Sequence, residues 1–214
     1  FALMLAVVVN IILVPTILSN LGKELYGLWF LIFNIISYFY LADFGITNAI
    51  TRLYSKYRVF GHDSVNKLLS SSYLLVLGLD FFILIILLAF KDNIAVFLGV
   101  EAHNLEIFGV LFLIGCFELF SQFILRVNLG VLRGEHKYHI AYNLEALTSL
   151  LRILSLSVLM LTDSFTVINF AFLYSFSKVF SDSISFYFLC NTLKRLIPKI
   201  DYPVIKELID NSGS

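Results

Sequence analysis

Charge is scarce in this 214-residue chain: 14% of its residues are Asp, Glu, Lys or Arg, against 59% that are hydrophobic. An ordinary soluble domain needs more polar surface than that to cover its core, and several apolar runs reach about twenty residues, the length of a membrane span. The chain therefore reads as an integral membrane protein. Formal net charge is zero, which gives no reason to expect nucleic acid as a partner. Cysteine is rarer still. Cys116 and Cys190 both fall inside apolar runs, where a thiol packs as a small hydrophobe, so neither a disulfide framework nor a redox site is expected. Glycines occur singly and without phosphate-loop spacing, which argues against nucleotide hydrolysis. His136 and His139 lie in a loop with no cysteine, and no carboxylate beyond Glu135, at ligand spacing, so they read as surface histidines rather than metal ligands. With no Ser/His/Asp or Cys/His constellation either, the chain does not read as an enzyme.

What is present is a succession of apolar segments. Phe1 already stands inside the first, with no basic n-region and no cleavage site before it, so a truncated start is expected rather than a signal peptide. The expected fold is an all-α integral membrane protein with six spans, at about 1–18, 26–50, 68–90, 107–125, 143–161 and 165–190. Pro15 sits near the end of the first span, and Tyr26 and Trp29 lie where interfacial aromatics usually do. In the loop from Lys91 to Glu106, the apolar piece Ile94 to Val100 is expected along the membrane surface. Residues 192–214 form a basic linker with Lys194, Arg195 and Lys199, broken by Pro198 and Pro203 before a short amphipathic tail. Six spans leave no room for a folded domain outside the membrane, so the chemistry belongs in the bundle or in short loops.

Orientation follows from basic residues in short loops. Arg52, Lys56, Arg58, Lys67, Arg126, Arg133, Lys137, Lys194, Arg195, Lys199 and Lys206 fall after even-numbered spans, and only Lys23 and Lys91 after odd-numbered ones. Both ends are thus expected on the cytoplasmic side.

A charge at mid-bilayer costs about 2.5–3.5 kcal/mol on insertion scales, so each intramembrane charge needs a partner, a hydrated cavity or neutralisation. Glu118, Gln122 and Arg126 follow one another at helical spacing in the fourth span. In the fifth, Glu145, Thr148, Ser149, Arg152 and Ser155 keep the same period, and in the sixth Ser175, Lys178, Asp182 and Ser185 share a face. Three polar stripes carrying both signs must point away from lipid, and together they would line a hydrated central cavity. Lys178 and Asp182 have a second, less favoured reading, as a local ion pair that only fixes helix packing. Arg152, whose acid on its own helix is two turns away, reads as a fixed cation. Asp80 is an isolated acid, either protonated or paired across helices. Between the second and third spans, Arg52, Lys56 and Arg58 read as topology anchors, while Asp43, on the face of Thr47, and Gly45, which permits close helix approach, are expected to form part of an inner gate.

Val14-Pro15, the run Leu21-Gly22-Lys23-Glu24-Leu25-Tyr26-Gly27-Leu28-Trp29, Leu41-Ala42-Asp43-Phe44-Gly45-Ile46 with Arg52, and Leu132-Arg133-Gly134 with Lys137 and Asn143 resemble the bacterial O-antigen and capsular polysaccharide flippases. These belong to the multidrug/oligosaccharidyl-lipid/polysaccharide exporter superfamily. The resemblance implies two six-helix lobes with alternating access, of which this chain would supply one, as a fragment of a longer protein. It implies a place in the bacterial cytoplasmic membrane, and as substrate an oligosaccharide on undecaprenyl pyrophosphate. Membrane lipids and polysaccharide-assembly proteins would be its other partners. No cofactor is expected beyond a coupling proton or sodium ion. Arg152, Lys178 and Arg126 would then be the cations for the pyrophosphate, with Asp80, Glu118, Glu145 and Asp182 serving ion coupling or holding those cations. A multidrug exporter of the same superfamily is the main rival reading, and an intramembrane enzyme acting on the same lipid carrier is a weaker one.

Overall fold

The structure, a computed structural model, describes residues 2–39, 45–193 and 201–212. These residues are helical throughout, with no strand among them. Eight α-helices follow one another: α1 (Ala2–Phe39), α2 (Ile46–Tyr57), α3 (His62–Ala89), α4 (Lys91–Phe97), α5 (Leu105–Gly134), α6 (Tyr138–Leu161), α7 (Val167–Leu193) and α8 (Tyr202–Ser212). Among the described residues, three stretches are long and apolar enough to cross a membrane: His62–Ala89, Ala102–Gly134 and Tyr138–Leu161. Asp43, Lys194, Arg195, Pro198 and Lys199 lie outside the described residues, as does the side chain of Cys190.

The bundle exposes apolar side chains and encloses polar ones within an otherwise apolar core. Phe81, Phe82, Ile85 and Leu88 of α3 face outward, as do Phe172, Phe176 and Phe180 of α7, whose rings follow one another at one-turn intervals. Inside lie Asp80, Glu118, Asn128, Asp182 and a series of serines. That inversion is what a lipid surround requires, since exposed apolar side chains cost nothing there and exposed charges do. At the centre is α5, which packs against α7, α2, α3 and α1, while α6 packs on α7 and α1. At Gly130 the approach of α2 is so close that a Cβ would stand 2.7 Å from Cγ2 of Ile50.

Where the helices begin and end differs from the sequence reading at three places. The segments expected as the first two spans fall in one helix interrupted at Gly22 (φ 78°, ψ 169°), so the expected turn there is a kink. The second span does not run on to Ile50. Gly45, at φ 75°, starts a separate helix whose buried residues Ile46, Ala49, Ile50, Leu53 and Tyr54 recur at helical period, opposite exposed Arg52 and Lys56. A one-sided apolar stripe of that kind belongs to an amphipathic helix rather than to a span. Third, α3 and α5 are longer than their apolar cores, reaching back to His62 and on to Gly134. The piece expected to lie along the surface falls largely in α4.

The amphipathic tail is α8, packed across α2 and α3 with Val204 and Leu208 buried. Polar clamps hold its flanks. Lys56 pairs with Glu207 at 2.5 Å, the Tyr57 hydroxyl donates to the same carboxylate at 2.6 Å, and Lys67 meets Asp201 at 3.3 Å. Arg52 donates to the carbonyl of Asn211. Just after the kink at Gly22, Glu24 lies 3.1 Å from His103.

Two predictions come from this docking. At Gly45 any Cβ would run into the Ser212 carbonyl oxygen, on a backbone conformation that costs a non-glycine residue about 1–2 kcal/mol. Gly45→Ala should therefore release α8, read as faster proteolysis of residues 201–212 in the purified protein. Hydrogen bonds from Lys56 and Tyr57 hold the Glu207 carboxyl below its usual range, and burial together with that carboxylate pushes the Tyr57 phenol up to about 12. Because the Glu207 value is depressed on folding, its contribution is complete above the ordinary carboxylate range and is lost as pH falls through the folded value. Protection of the α8 amides, taken relative to the intrinsic exchange rate at each pH, should fall in acid, and Glu207→Gln should flatten that dependence.

Candidate functional site

Three helices bring the polar stripes together. Glu118, Ser121 and Gln122 come from α5, Arg152 from α6, and Tyr174, Ser175, Lys178 and Asp182 from α7. Each stripe keeps the spacing of one helical face, and the packing of α7 against both α5 and α6 turns the three faces toward one another.

Arg152 is the centre of the arrangement. Its Nη2 lies 3.8 Å from Glu118 Oε1, and its guanidinium stands 3.6 Å from the centroid of the Tyr174 ring, in cation–π contact. Glu118 is buried and accepts from Ser175 Oγ at 2.7 Å and from Gln122 Nε2 at 3.3 Å. The Nε of Arg152 is buried and makes no hydrogen bond. Arg152 is thus not the isolated cation that its own helix shows: its counter-ion comes from α5. One turn beyond Tyr174, Lys178 donates to Asp182, whose other oxygen accepts from Ser121 at 2.9 Å. Two cation–carboxylate pairs, Arg152 with Glu118 and Lys178 with Asp182, hold the site together.

Cavities flank Arg152 on two sides. One, of about 300 Å³, has an aromatic wall of Tyr26, Trp29, Phe30 and Phe33 from α1, closed by Tyr174. The other, of about 380 Å³, is lined by Glu145, Thr148, Ser149, Lys178, Ser181 and Asp182. Arg152 and Gln122 line both. Comparison of the chain with protein-family models, with characterised proteins and with solved structures yields no match.

Of the residues expected from sequence, Glu118, Glu145, Arg152, Lys178 and Asp182 are brought to this site. Arg126 is not part of either lining; its guanidinium stands 4.7 Å from the Phe123 ring centroid. Asp80 is also elsewhere, fully buried in α3 beside Cys116 of α5, with neither carboxylate oxygen hydrogen-bonded. Gly45 opens α2 against α8 rather than approaching another long helix, and Asp43 lies outside the described residues. Sequence reasoning missed the aromatic wall and Tyr174. The signal was available for Tyr174, which stands four residues before Lys178 on the same face.

Removing one partner of a buried pair leaves the other uncompensated, at a cost of about 3–5 kcal/mol, whereas removing both is far less damaging. Glu118→Leu should therefore lower stability in detergent by about that amount. The double variant Glu118→Leu/Arg152→Met should recover most of the loss, with chemical denaturation as the readout. Equal losses in the single and double variants would show that the pair is uncoupled.

Proposed function

We propose that this chain is one six-span lobe of a two-lobed exporter in the bacterial cytoplasmic membrane. It moves an oligosaccharide on undecaprenyl pyrophosphate from the cytoplasmic to the outer leaflet, for O-antigen or capsular polysaccharide, by ion-coupled alternating access. In this reading the two parts of α1 on either side of Gly22, together with α3, α5, α6 and α7, are the six spans, and both ends of the chain are cytoplasmic.

The observation that carries the reading is the setting of Arg152 between two cavities, with a buried Nε that makes no hydrogen bond. A guanidinium binds phosphate oxygens with paired N–H donors, and does so most strongly where water is excluded. Lys178 at the second cavity adds a further cation. The aromatic wall beside Arg152 suits the faces of sugar rings, and the serines and Thr148 of the second cavity supply hydroxyls to a glycan. That same aromatic wall, with Glu118 at its edge, favours the alternative reading, a multidrug exporter taking apolar cations. Glu145 and Asp182 serve as cavity acids in either case.

Replacing Arg152 with Gln in the producing bacterium should abolish surface polysaccharide while the protein remains in the membrane at its normal level. Undiminished polysaccharide would overturn the assignment. If the same variant instead leaves the glycan intact and changes resistance to lipophilic cations, the drug-export reading takes its place.

A further inference from the structure

Away from the Arg152 site, the turn between α2 and α3 and the turn after α5 enclose a third cavity, of about 470 Å³. Its polar lining comprises Tyr54, Arg58, His62, Glu135 and Lys137. The helix lengths fix its depth. With 28 residues in α3 and 30 in α5, at about 1.5 Å per residue, each helix spans about 42–45 Å, the thickness of a bilayer including its headgroups. The cavity sits where α3 begins and α5 ends, which is headgroup level.

The charges in the lining are not balanced. Glu135 is its one carboxylate, and both oxygens are engaged: Tyr54 Oη donates to one at 2.6 Å and Lys137 Nζ to the other at 2.6 Å. Burial alone would raise the Glu135 carboxyl, but hydrogen bonds from Lys137 and Tyr54, with the charges of Lys137 and Arg58, outweigh it and hold it below its usual range, so it stays anionic. Arg58 acts on Glu135 through its charge alone, since both carboxylate oxygens are already bonded. It is exposed and makes no ion pair among the described residues. Next to it, Val59 and Phe60 are 83% and 69% exposed, and Tyr138 and Tyr142 are exposed beyond Lys137. Apolar side chains bared at headgroup depth beside an exposed guanidinium form the two halves of a lipid contact.

We propose that this cavity seats the phosphate of an anionic membrane lipid, with Arg58 and Lys137 on the phosphate oxygens and Val59 and Phe60 in the acyl boundary beside it. The apolar rim favours a phosphate that arrives on a lipid over one free in solution, for which bare Val59 and Phe60 would have no use. Such a site is independent of what the central cavities carry, and a protein that moves no polysaccharide would still hold the lipid.

The test uses the full chain purified in a non-ionic detergent. Native mass spectrometry follows retention of phosphatidylglycerol against phosphatidylcholine, and inorganic phosphate is titrated separately. Phosphatidylglycerol should be retained preferentially, and Arg58→Gln should reduce its retention about fivefold, the weight of one cation near an anionic headgroup. Val59→Ser/Phe60→Ser should reduce lipid retention and leave the response to inorganic phosphate unchanged. Lys206→Gln, an exposed charge on α8 outside the cavity, should have no effect. Circular dichroism checks that each variant keeps its helices. Equal retention of the two lipids overturns the site. So does a loss with Lys206→Gln as large as with Arg58→Gln, which would mean diffuse attraction. Displacement of the lipid by millimolar inorganic phosphate, with no effect of the Val59 and Phe60 changes, would make the ligand a soluble phosphate and overturn the lipid assignment.

Discussion

An arginine held inside an apolar bundle is the constraint from which most of this architecture follows. The Arg152 guanidinium cannot face lipid at acceptable cost, so α6 must turn that side toward α5 and α7, and those helices must supply something to meet it. They supply Glu118 at 3.8 Å and the face of Tyr174 at 3.6 Å. Once α5 is committed to Arg152 through Glu118, Ser121 is directed at Asp182, and α7 is held by two polar contacts from the same helix. The outward faces of these helices are then left to Leu, Phe and Ile, as the surround demands.

A second constraint acts outside the spans. The segment after α1 could in principle continue as a membrane helix, since it begins Ile-Thr-Asn-Ala-Ile. Its apolar residues lie on one side only, and Arg52 and Lys56 occupy the other, so burial against protein is the only way to use both faces. It packs on α5 and is covered by α8, whose Glu207 and Asp201 answer Lys56 and Lys67. The charges that a membrane topology argument treats as anchors in water are therefore also the docking points of the last helix. Arg58, with no carboxylate in ion-pair contact among the described residues, lies beside bare apolar side chains.

How much of this was legible in the sequence depends on the kind of signal. Long helices were legible, because apolar runs of span length have few alternatives, and so was the convergence of Glu118, Arg152, Lys178 and Asp182, because helical spacing puts each on a polar face that must avoid lipid. The break at Gly45 was not, since the hydropathy of Ile46 to Ile50 is that of a span and only its one-sidedness distinguishes it. The grouping of charges across helices was also hidden. Arg126 shares the spacing of Glu118 and Gln122 but lies two turns along α5, where it rests over Phe123 instead. Asp80 was recognisable as unpaired on its own helix, and the structure keeps it unpaired, though on α3 and away from the other acids. Tyr174 and the α1 aromatics look like any other lipid-facing ring in a chain with this many, so their place in a cavity wall depends on packing alone.

The wiring of the ion network bears on the proposed transport. A cation can bind a passing phosphate only if its own counter-ion tolerates being left, and an abandoned buried carboxylate is ordinarily expensive. Here neither carboxylate depends on a single cation. Glu118 keeps Ser175 and Gln122 as donors if Arg152 turns to a ligand, and Asp182 keeps Ser121 if Lys178 does the same. Neutral donors of this kind do not replace a charge, but they remove much of the penalty of losing one. Arg152 has the complementary property: its salt bridge is long, and the Tyr174 face stabilises the guanidinium without occupying its N–H groups. A structural ion pair would be expected to close that distance and use those donors. The looser arrangement, in which each acid keeps neutral donors and the arginine Nε makes no hydrogen bond, is the one that the proposed transport would need for an anionic headgroup to enter and leave.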